Sequence, residues 1–158
     1  MRNNAVALVL CLCLRLLNGE AQAVQVNFSG TVVESLPCSI NNNQLIEVDF
    51  GDGVIIRNLD MTHYRKTVPY QIVCSAPGAV RLSVTGTPTH FDSAAIQTNA
   101  MGLGIHLELA GVAFTLNTPR SIDLGNLPTL IAVPVADPVQ PPSPGNFTAR
   151  ATLLADYQ

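Results

Sequence analysis

The chain has 158 residues, a formal net charge of −3, 47% hydrophobic residues and only 12% charged residues. This length suits one domain with a substantial core and excludes two independent domains of ordinary size. The weakly acidic balance gives no basic surface that would attract nucleic acid or an anionic membrane.

The first 23 residues have the pattern of a secretory signal peptide. Arg2 provides a short basic start, Ala5 opens an apolar run, and Ala21-Gln22-Ala23 is a small-x-small cleavage site. The apolar run is too short to span a bilayer and Arg15 interrupts it, although this arginine leaves a membrane-anchored start as an alternative. We therefore expect export, with cleavage after Ala23.

Cleavage would leave two cysteines, Cys38 and Cys74, because Cys11 and Cys13 belong to the signal peptide. Two cysteines in an exported domain usually form a disulfide. Closing a loop of roughly 37 residues would stabilise the fold by about 3–4 kcal/mol on the chain-entropy estimate. Two buried free thiols are the alternative, and the spacing fits no metal motif.

The mature chain would begin with an arm, Val24 to Val33, in which apolar and polar residues alternate. Its even positions are Val24, Val26, Phe28, Gly30 and Val32. A period of two predicts a strand with one apolar face. Because no earlier element remains to pair with it, the arm needs a sheet edge, either its own or that of another molecule.

Short runs rich in Val, Ile, Leu and Thr continue along the chain, and no segment has convincing helical periodicity. They predict strands at residues 45–50, 67–74, 80–85, 102–109, 112–116 and 130–135. Pro77 and Gly78 predict a hairpin between the second and third of these. A second hairpin is expected at Gly111, and Pro134 predicts a short or edge strand.

A last strand follows the proline-rich loop at residues 138–145, and it alternates as clearly as the arm. Its apolar positions are Phe147, Ala149, Ala151, Leu153, Ala155 and Tyr157. About seven short strands, regular turns and one disulfide predict an all-β, immunoglobulin-like sandwich.

Five features follow one another in a fixed order. They are the alternating arm with Gly30, Cys38 soon after it, Cys74 at the end of the 67–74 run, the Gly102–Leu109 run, and the last strand. In this order the mature chain resembles subunits of bacterial fimbriae of the chaperone–usher class, such as type 1 and P pili. That family has a glycine fourteen residues from the end and a penultimate tyrosine, and Gly145 and Tyr157 occupy these places.

The resemblance implies an incomplete sandwich that lacks its seventh strand, with an open apolar groove beside the last strand. It divides the chain into a signal peptide (1–23), a donor-strand arm (24–33) and a pilin domain (34–158). A periplasmic chaperone would fill the groove first and deliver the subunit to an outer-membrane usher. The arm of a neighbouring subunit would then replace the chaperone, in the strand-addition mode of which chaperone–pilin pairing is a known example.

Residue patterns typical of enzymes and metal sites are not found. His63, His90 and His106 lie in three segments without ligand spacing, and are expected to be surface or half-buried. The 49–53 segment lacks the downstream acidic ligand of a calcium loop, and no serine lies in a nucleophile elbow. We expect no enzyme, no cofactor and no metal.

The resemblance therefore implies a structural subunit of a bacterial surface fibre that supports adhesion. A self-contained, secreted immunoglobulin-like domain that binds a ligand through its loops is the alternative. A metal-dependent oxidoreductase on a sandwich fold is a weaker third.

Overall fold

The computed structural model describes residues 25–31, 38–75 and 78–157. The chain divides into two compact units, Met1–Val33 and Glu34–Gln158. The predicted signal peptide, its cleavage site at Ala23, and Val24 and Val32 of the arm lie outside the described residues. Among the described residues no helix is long and apolar enough to cross a membrane.

The second unit is all-β, as predicted. Its strands are β1 (Cys38–Ile40), β2 (Lys66–Thr67), β3 (Ile72–Cys74), β4 (Val80–Thr85), β5 (Ala95–Gln97), β6 (Leu103–Leu109), β7 (Val112–Ala113), β8 (Arg120–Ile122), β9 (Leu130–Ala136) and β10 (Thr152–Tyr157). Two short 3-10 turns, Asn41–Asn43 and Ile56–Asn58, interrupt them.

Within the described residues the strands form three antiparallel sheets. β1 pairs with β3, β4 lies between β10 and β8, and the largest sheet has the order β2-β9-β6-β5 with β7 attached to β6. Alternate side chains of β4 from one sheet and of β5, β6 and β9 from the other enclose the core. Its buried members are Leu82, Val84, Ile96, Ile105, Leu107, Leu109, Phe114, Leu116, Leu130 and Ala132.

The predicted disulfide is confirmed. Cys38 and Cys74 are bonded, and their Cα atoms, 4.1 Å apart, lie opposite each other in the β1–β3 ladder. The second hairpin is also confirmed, because β6 and β7 pair across Ala110 and Gly111. Both of these residues have positive φ, as a tight two-residue hairpin loop requires.

The predicted hairpin at Pro77 and Gly78 is wrong. β3 and β4 flank this turn but do not pair with each other, because β3 pairs with β1 and β4 pairs with β10 and β8. The predicted 67–74 strand is divided for the same reason: β2 joins β9 in the large sheet, whereas β3 joins β1. The chain changes sheet between them, which local sequence does not reveal.

The expectation that Pro134 would confine its strand to an edge is also wrong. β9 lies between β2 and β6 and pairs with all seven residues of β6. The Leu130 carbonyl accepts a hydrogen bond from Val68 on the β2 side, so the backbone of Pro134, four residues on, points to that side as well. Because the β2 ladder ends at Ala132, the missing N–H of Pro134 costs no ladder hydrogen bond.

Smaller differences concern short elements. The predicted 112–116 strand is reduced to β7, although Phe114 and Leu116 still enter the core. β5 and β8, each three residues long, were not predicted, because a period of two cannot be recognised over so few positions.

Buried carboxylates hold the loops of the large sheet. Asp137 is 2% exposed, accepts the Val139 N–H at 2.7 Å, and lies 2.8 Å from His90 Nε2. The Val139 hydrogen bond is the main cause that lowers the pKa of Asp137. A hydrogen bond from Arg65 similarly lowers the pKa of Glu108 on β6.

These lowered pKa values predict a fold that loses stability in acid. A carboxyl group whose pKa is lower in the folded chain stabilises the fold above its unfolded pKa, and this contribution is lost as the pH falls through the folded pKa. The free energy of unfolding of the full chain should therefore decrease below about pH 4. Urea unfolding between pH 7 and pH 3 measures it.

Asp137→Asn should make this pH dependence shallower, because the amide does not titrate. Asp52→Asn removes an exposed carboxylate and serves as the control. An unchanged acid slope in Asp137→Asn would contradict the role given to Asp137.

Candidate functional site

The last strand, β10, is paired along one edge only. It pairs with β4 from Thr152 opposite Thr85 to Tyr157 opposite Val80. Within the described part of the chain, no strand pairs with its other edge. Such an edge presents backbone N–H and C=O groups to which a further strand can bind.

The inner face of β10 and of the segment before it is apolar but incompletely covered. Its half-buried positions are Phe147, Ala149, Leu153, Ala155 and Tyr157, while Ala151 of the same series is exposed. On the neighbouring strand β4, by contrast, Leu82 and Val84 are buried almost completely. The sandwich is therefore covered around β4 and open along β10.

The opening has two sides, which we call its walls. The first wall is β10 with the segment before it, and residues 44–50 form the second. Ile46, Val48 and Phe50 are half-buried and alternate with exposed residues, as in a strand. The prediction of a strand here has the correct alternation, yet no backbone group of residues 45–50 pairs with another described backbone group. The segment has the pattern of a strand but no ladder.

A left-handed turn directs the chain into this wall. Asn41, Asn42 and Asn43 have φ values of 46°, 52° and 62°, a region that asparagine adopts more readily than most residues. Asn41 Oδ1 accepts the Gln71 N–H at 2.6 Å, and Asn41 Nδ2 donates to the Pro69 carbonyl at 3.0 Å. The turn thus ends the β1–β3 ladder and separates residues 44–50 from it.

The two walls run antiparallel and enclose a groove. At one end β1 lies beside β10, with Cα atoms within 8 Å and no ladder between them. At the other end the rings of Phe50 and Phe147 are 6.1 Å apart. We call these the disulfide end and the cavity end.

At the cavity end the groove widens into a cavity of about 830 Å³. Its apolar lining includes Phe50, Ile55, Ala100, Leu103, Pro142 and Phe147. Gly145 also lines it and is exposed. Apart from Gly145 and Phe147, these residues were not predicted as part of a site, because they come together from three separate segments of the chain.

Gly102 fixes the loops that border the cavity. It has a φ of +75°, and a Cβ atom at this position would lie 2.0 Å from the Gln140 carbonyl oxygen. The Gly102 carbonyl in turn accepts the Asp137 N–H at 2.8 Å. The loop before β6 and the loop after β9 are therefore in direct backbone contact.

Tyr157 lies at the disulfide end. A Cβ atom at Gly78 would overlap its ring, so the tyrosine lies directly against the backbone of Gly78. Glycine at position 78 allows this close approach.

The arm belongs to the other compact unit. Its described part, residues 25–31, has no assigned secondary structure and is exposed throughout. Val26 is 65% exposed and Phe28 is 93% exposed, while a Cβ atom at Gly30 would meet no described atom within 4 Å. The apolar face predicted for the arm is thus accessible to another molecule.

The histidines have structural partners. The pairs are Asp60 with His63, His90 with Asp137, and Asp92 with His106. His106 is 4% exposed, which corrects the expectation of a surface or half-buried position. No group of three potential metal ligands occurs in residues 25–31, 38–75 or 78–157.

The chain is similar in sequence to proteins of a known family. The sequence pattern of the family described as Fimbrial protein matches residues 26–158. The fimbrial-like protein YfcQ of Escherichia coli (strain K12) is 39% identical over 155 residues, which cover 93% of this chain and 95% of that protein.

Two solved structures share the fold. The P pilus rod subunit PapA matches with a TM-score of 0.61 and 25% identity, over 85% of this chain and 100% of that one. The P pilus adaptor subunit PapF matches with a TM-score of 0.58 and 26% identity, over 77% of this chain and 96% of that one. These matches confirm the incomplete immunoglobulin-like sandwich predicted from the sequence.

The contact at Gly102 can be tested against a matched glycine. Gly111 has nearly the same φ, +76°, but a Cβ atom there would meet nothing within 4 Å among the described residues. Gly111→Ala should cost only the left-handed backbone strain, about 1–2 kcal/mol. Gly102→Ala should cost about 1–3 kcal/mol more, because it also overpacks the loop contact.

Urea unfolding of both variants measures the difference. Equal losses of stability in the two variants would show that the loops at the cavity are not held together as described.

Proposed function

The chain belongs to the fimbrial protein family, and we propose from this premise that it polymerises by inserting its arm, residues 24–33, into the groove of a neighbouring subunit. It is a structural subunit of the chaperone–usher pilus class and not an enzyme. Its finer role, donor-strand exchange within a fimbria that supports adhesion, is the proposal argued below.

The main support for this proposal is that neither wall of the groove has a neighbouring strand on the groove side among the described residues. The outer edge of β10 and the backbone of residues 45–50 make no ladder among the described residues, and half-buried apolar side chains lie between them. A strand inserted there would pair backbone groups on both sides and cover the apolar face. A self-contained binding domain would instead complete this edge from its own chain.

The arm has the pattern that such a strand needs. Its nine residues from Val24 to Val32 would span about 30 Å as a strand. Four even positions, Val26, Phe28, Gly30 and Val32, would face the groove, with Val24 continuing the series. The uncharged side chains at the odd positions would face water.

The arm should run antiparallel to β10. At the disulfide end β1 already lies beside β10, which leaves little room for a chain that continues into another domain. The open cavity end provides that exit, so the C-terminal end of the arm belongs there. Val32 would then enter the cavity, and Gly30 would occupy a place where backbone or side chains approach closely.

The same groove explains the need for a first partner. An open strand edge with an apolar face promotes aggregation unless it is covered. We therefore propose that a periplasmic chaperone binds the β10 face (Gly145, Phe147, Ala149, Ala151, Leu153, Ala155 and Tyr157) after export and removal of residues 1–23. An outer-membrane usher would then receive the subunit and exchange the chaperone for the arm of the next subunit, to build a fimbria on the cell surface.

Two leucine substitutions on opposite faces of the arm test the mechanism. Gly30→Leu should overpack the groove, cost about 1–3 kcal/mol at each junction and slow fibre assembly. Ser29→Leu places the same side chain on the solvent face and should leave assembly unchanged. Assembly is followed as the rate of polymer formation by the full chain delivered with its chaperone.

The thermal stability of the chaperone-bound subunit is the control, and neither variant should change it, because Gly30 and Ser29 are exposed in the free arm. Equal assembly rates for Gly30→Leu and Ser29→Leu would contradict insertion of the even face.

A further inference from the structure

The cavity end of the domain carries an exposed apolar patch beside the groove. Met101, in the loop between β5 and β6, and Val139, in the loop after β9, are each 84% exposed. Their loops are joined by the Asp137 to Gly102 hydrogen bond. The flanking residues Ala100 and Pro142 line the groove cavity. We call Met101 and Val139 the cavity-end patch.

The disulfide end carries a second apolar feature. Val73, in β3, is 62% exposed. It borders a shallow crevice of about 380 Å³, whose lining is Cys38, Ser39, Asn43, Val73, Cys74 and Ser75. We call this feature the disulfide crevice. It lies where the chain enters the domain from the arm, because Cys38 is the first residue of β1.

The two features lie at opposite ends of the groove, and a donated arm would bring them together between two molecules. Only six residue steps separate Val32 from Cys38 in the sequence, a reach of at most about 20 Å. With Val32 in the cavity of one subunit, Cys38 of the donor must lie within that distance of the cavity end. The donor therefore presents its disulfide crevice to the region that holds the cavity-end patch.

We propose that the cavity-end patch of one subunit docks into the disulfide crevice of a second copy of this chain, the copy whose arm fills the groove. This inference rests on the proposed function. It adds a body-to-body contact, Met101 and Val139 against Val73, to the strand insertion. The contact is head-to-tail, so it repeats along the fibre.

The chemistry of the two surfaces fits this contact. Met101 is unbranched and polarisable, and such side chains adapt to irregular crevices. The contact is too small to hold two free subunits together, since stable interfaces bury about 1,200 Å² or more. Once the arm is inserted, a short linker raises the effective concentration to the millimolar range, where a weak contact forms. The patch can thus stay exposed until assembly.

The test compares fibres with substitutions on either surface. Met101→Ser with Val139→Ser removes the patch, and Val73→Ser alters the crevice. Each should increase the rate at which fibre junctions open in denaturant by about tenfold, the effect of a lost contact of roughly 1.4 kcal/mol. Combining them should add little, because both remove the same contact. Leu154→Ser changes an exposed side chain on the face of β10 that points away from the groove, and this control should open at the wild-type rate.

A synthetic peptide of residues 24–33 separates this inference from the proposed function. Its dissociation from the full chain should be the same for wild type and for the patch variant. Faster peptide dissociation from the patch variant would mean that Met101 and Val139 shape the groove itself, and would overturn the docking contact. Unchanged junction opening in either variant, or additive effects of the two, would also overturn it. A peptide that fails to bind the wild-type chain would contradict donor-strand insertion and this inference with it.

Discussion

The unpaired backbone on both sides of the groove is the constraint on which the rest depends. Backbone N–H and C=O groups need partners once they are buried, and no described strand of the sandwich pairs with residues 45–50 or with the outer edge of β10. The apolar side chains beneath these edges are half-buried for the same reason. A strand inserted from another chain would pair these backbone groups and cover the apolar side chains, so the proposed insertion would link folding of the domain to its assembly.

A turn, a disulfide and a close loop contact hold the two walls of the groove in place. The Asn41–Asn43 turn diverts the chain from the β1–β3 ladder, and the Cys38–Cys74 disulfide secures that ladder. At the other end Gly102 brings two loops into contact beside the cavity. The groove is therefore bordered by constrained elements at both ends, whereas the large sheet, with its continuous β6–β9 ladder, carries the core.

The sequence predicted the features that depend on local alternation. The last strand has a clear period of two, and its second half is β10. Ile46 to Phe50 alternate correctly even without a ladder, whereas the strand predicted for the arm stays a prediction. Pairing was harder to predict. The Pro77-Gly78 turn suggested a hairpin, yet β3 and β4 join different ladders. The cavity could not be predicted because its lining comes from three separate segments. The position of Pro134 in the sheet depends on where β2 ends.

Amide hydrogen exchange of the full chain, with and without a synthetic peptide of residues 24–33, tests the central claim most directly. Insertion of a strand predicts that amides of residues 45–50 and 149–157 on the groove edges exchange quickly in the chain alone and become protected with the peptide, because the new ladder closes their hydrogen bonds. Amides in the β6–β9 ladder should be protected in both states. Groove-edge amides that are protected without the peptide, or that stay fast with the peptide bound, would contradict the account.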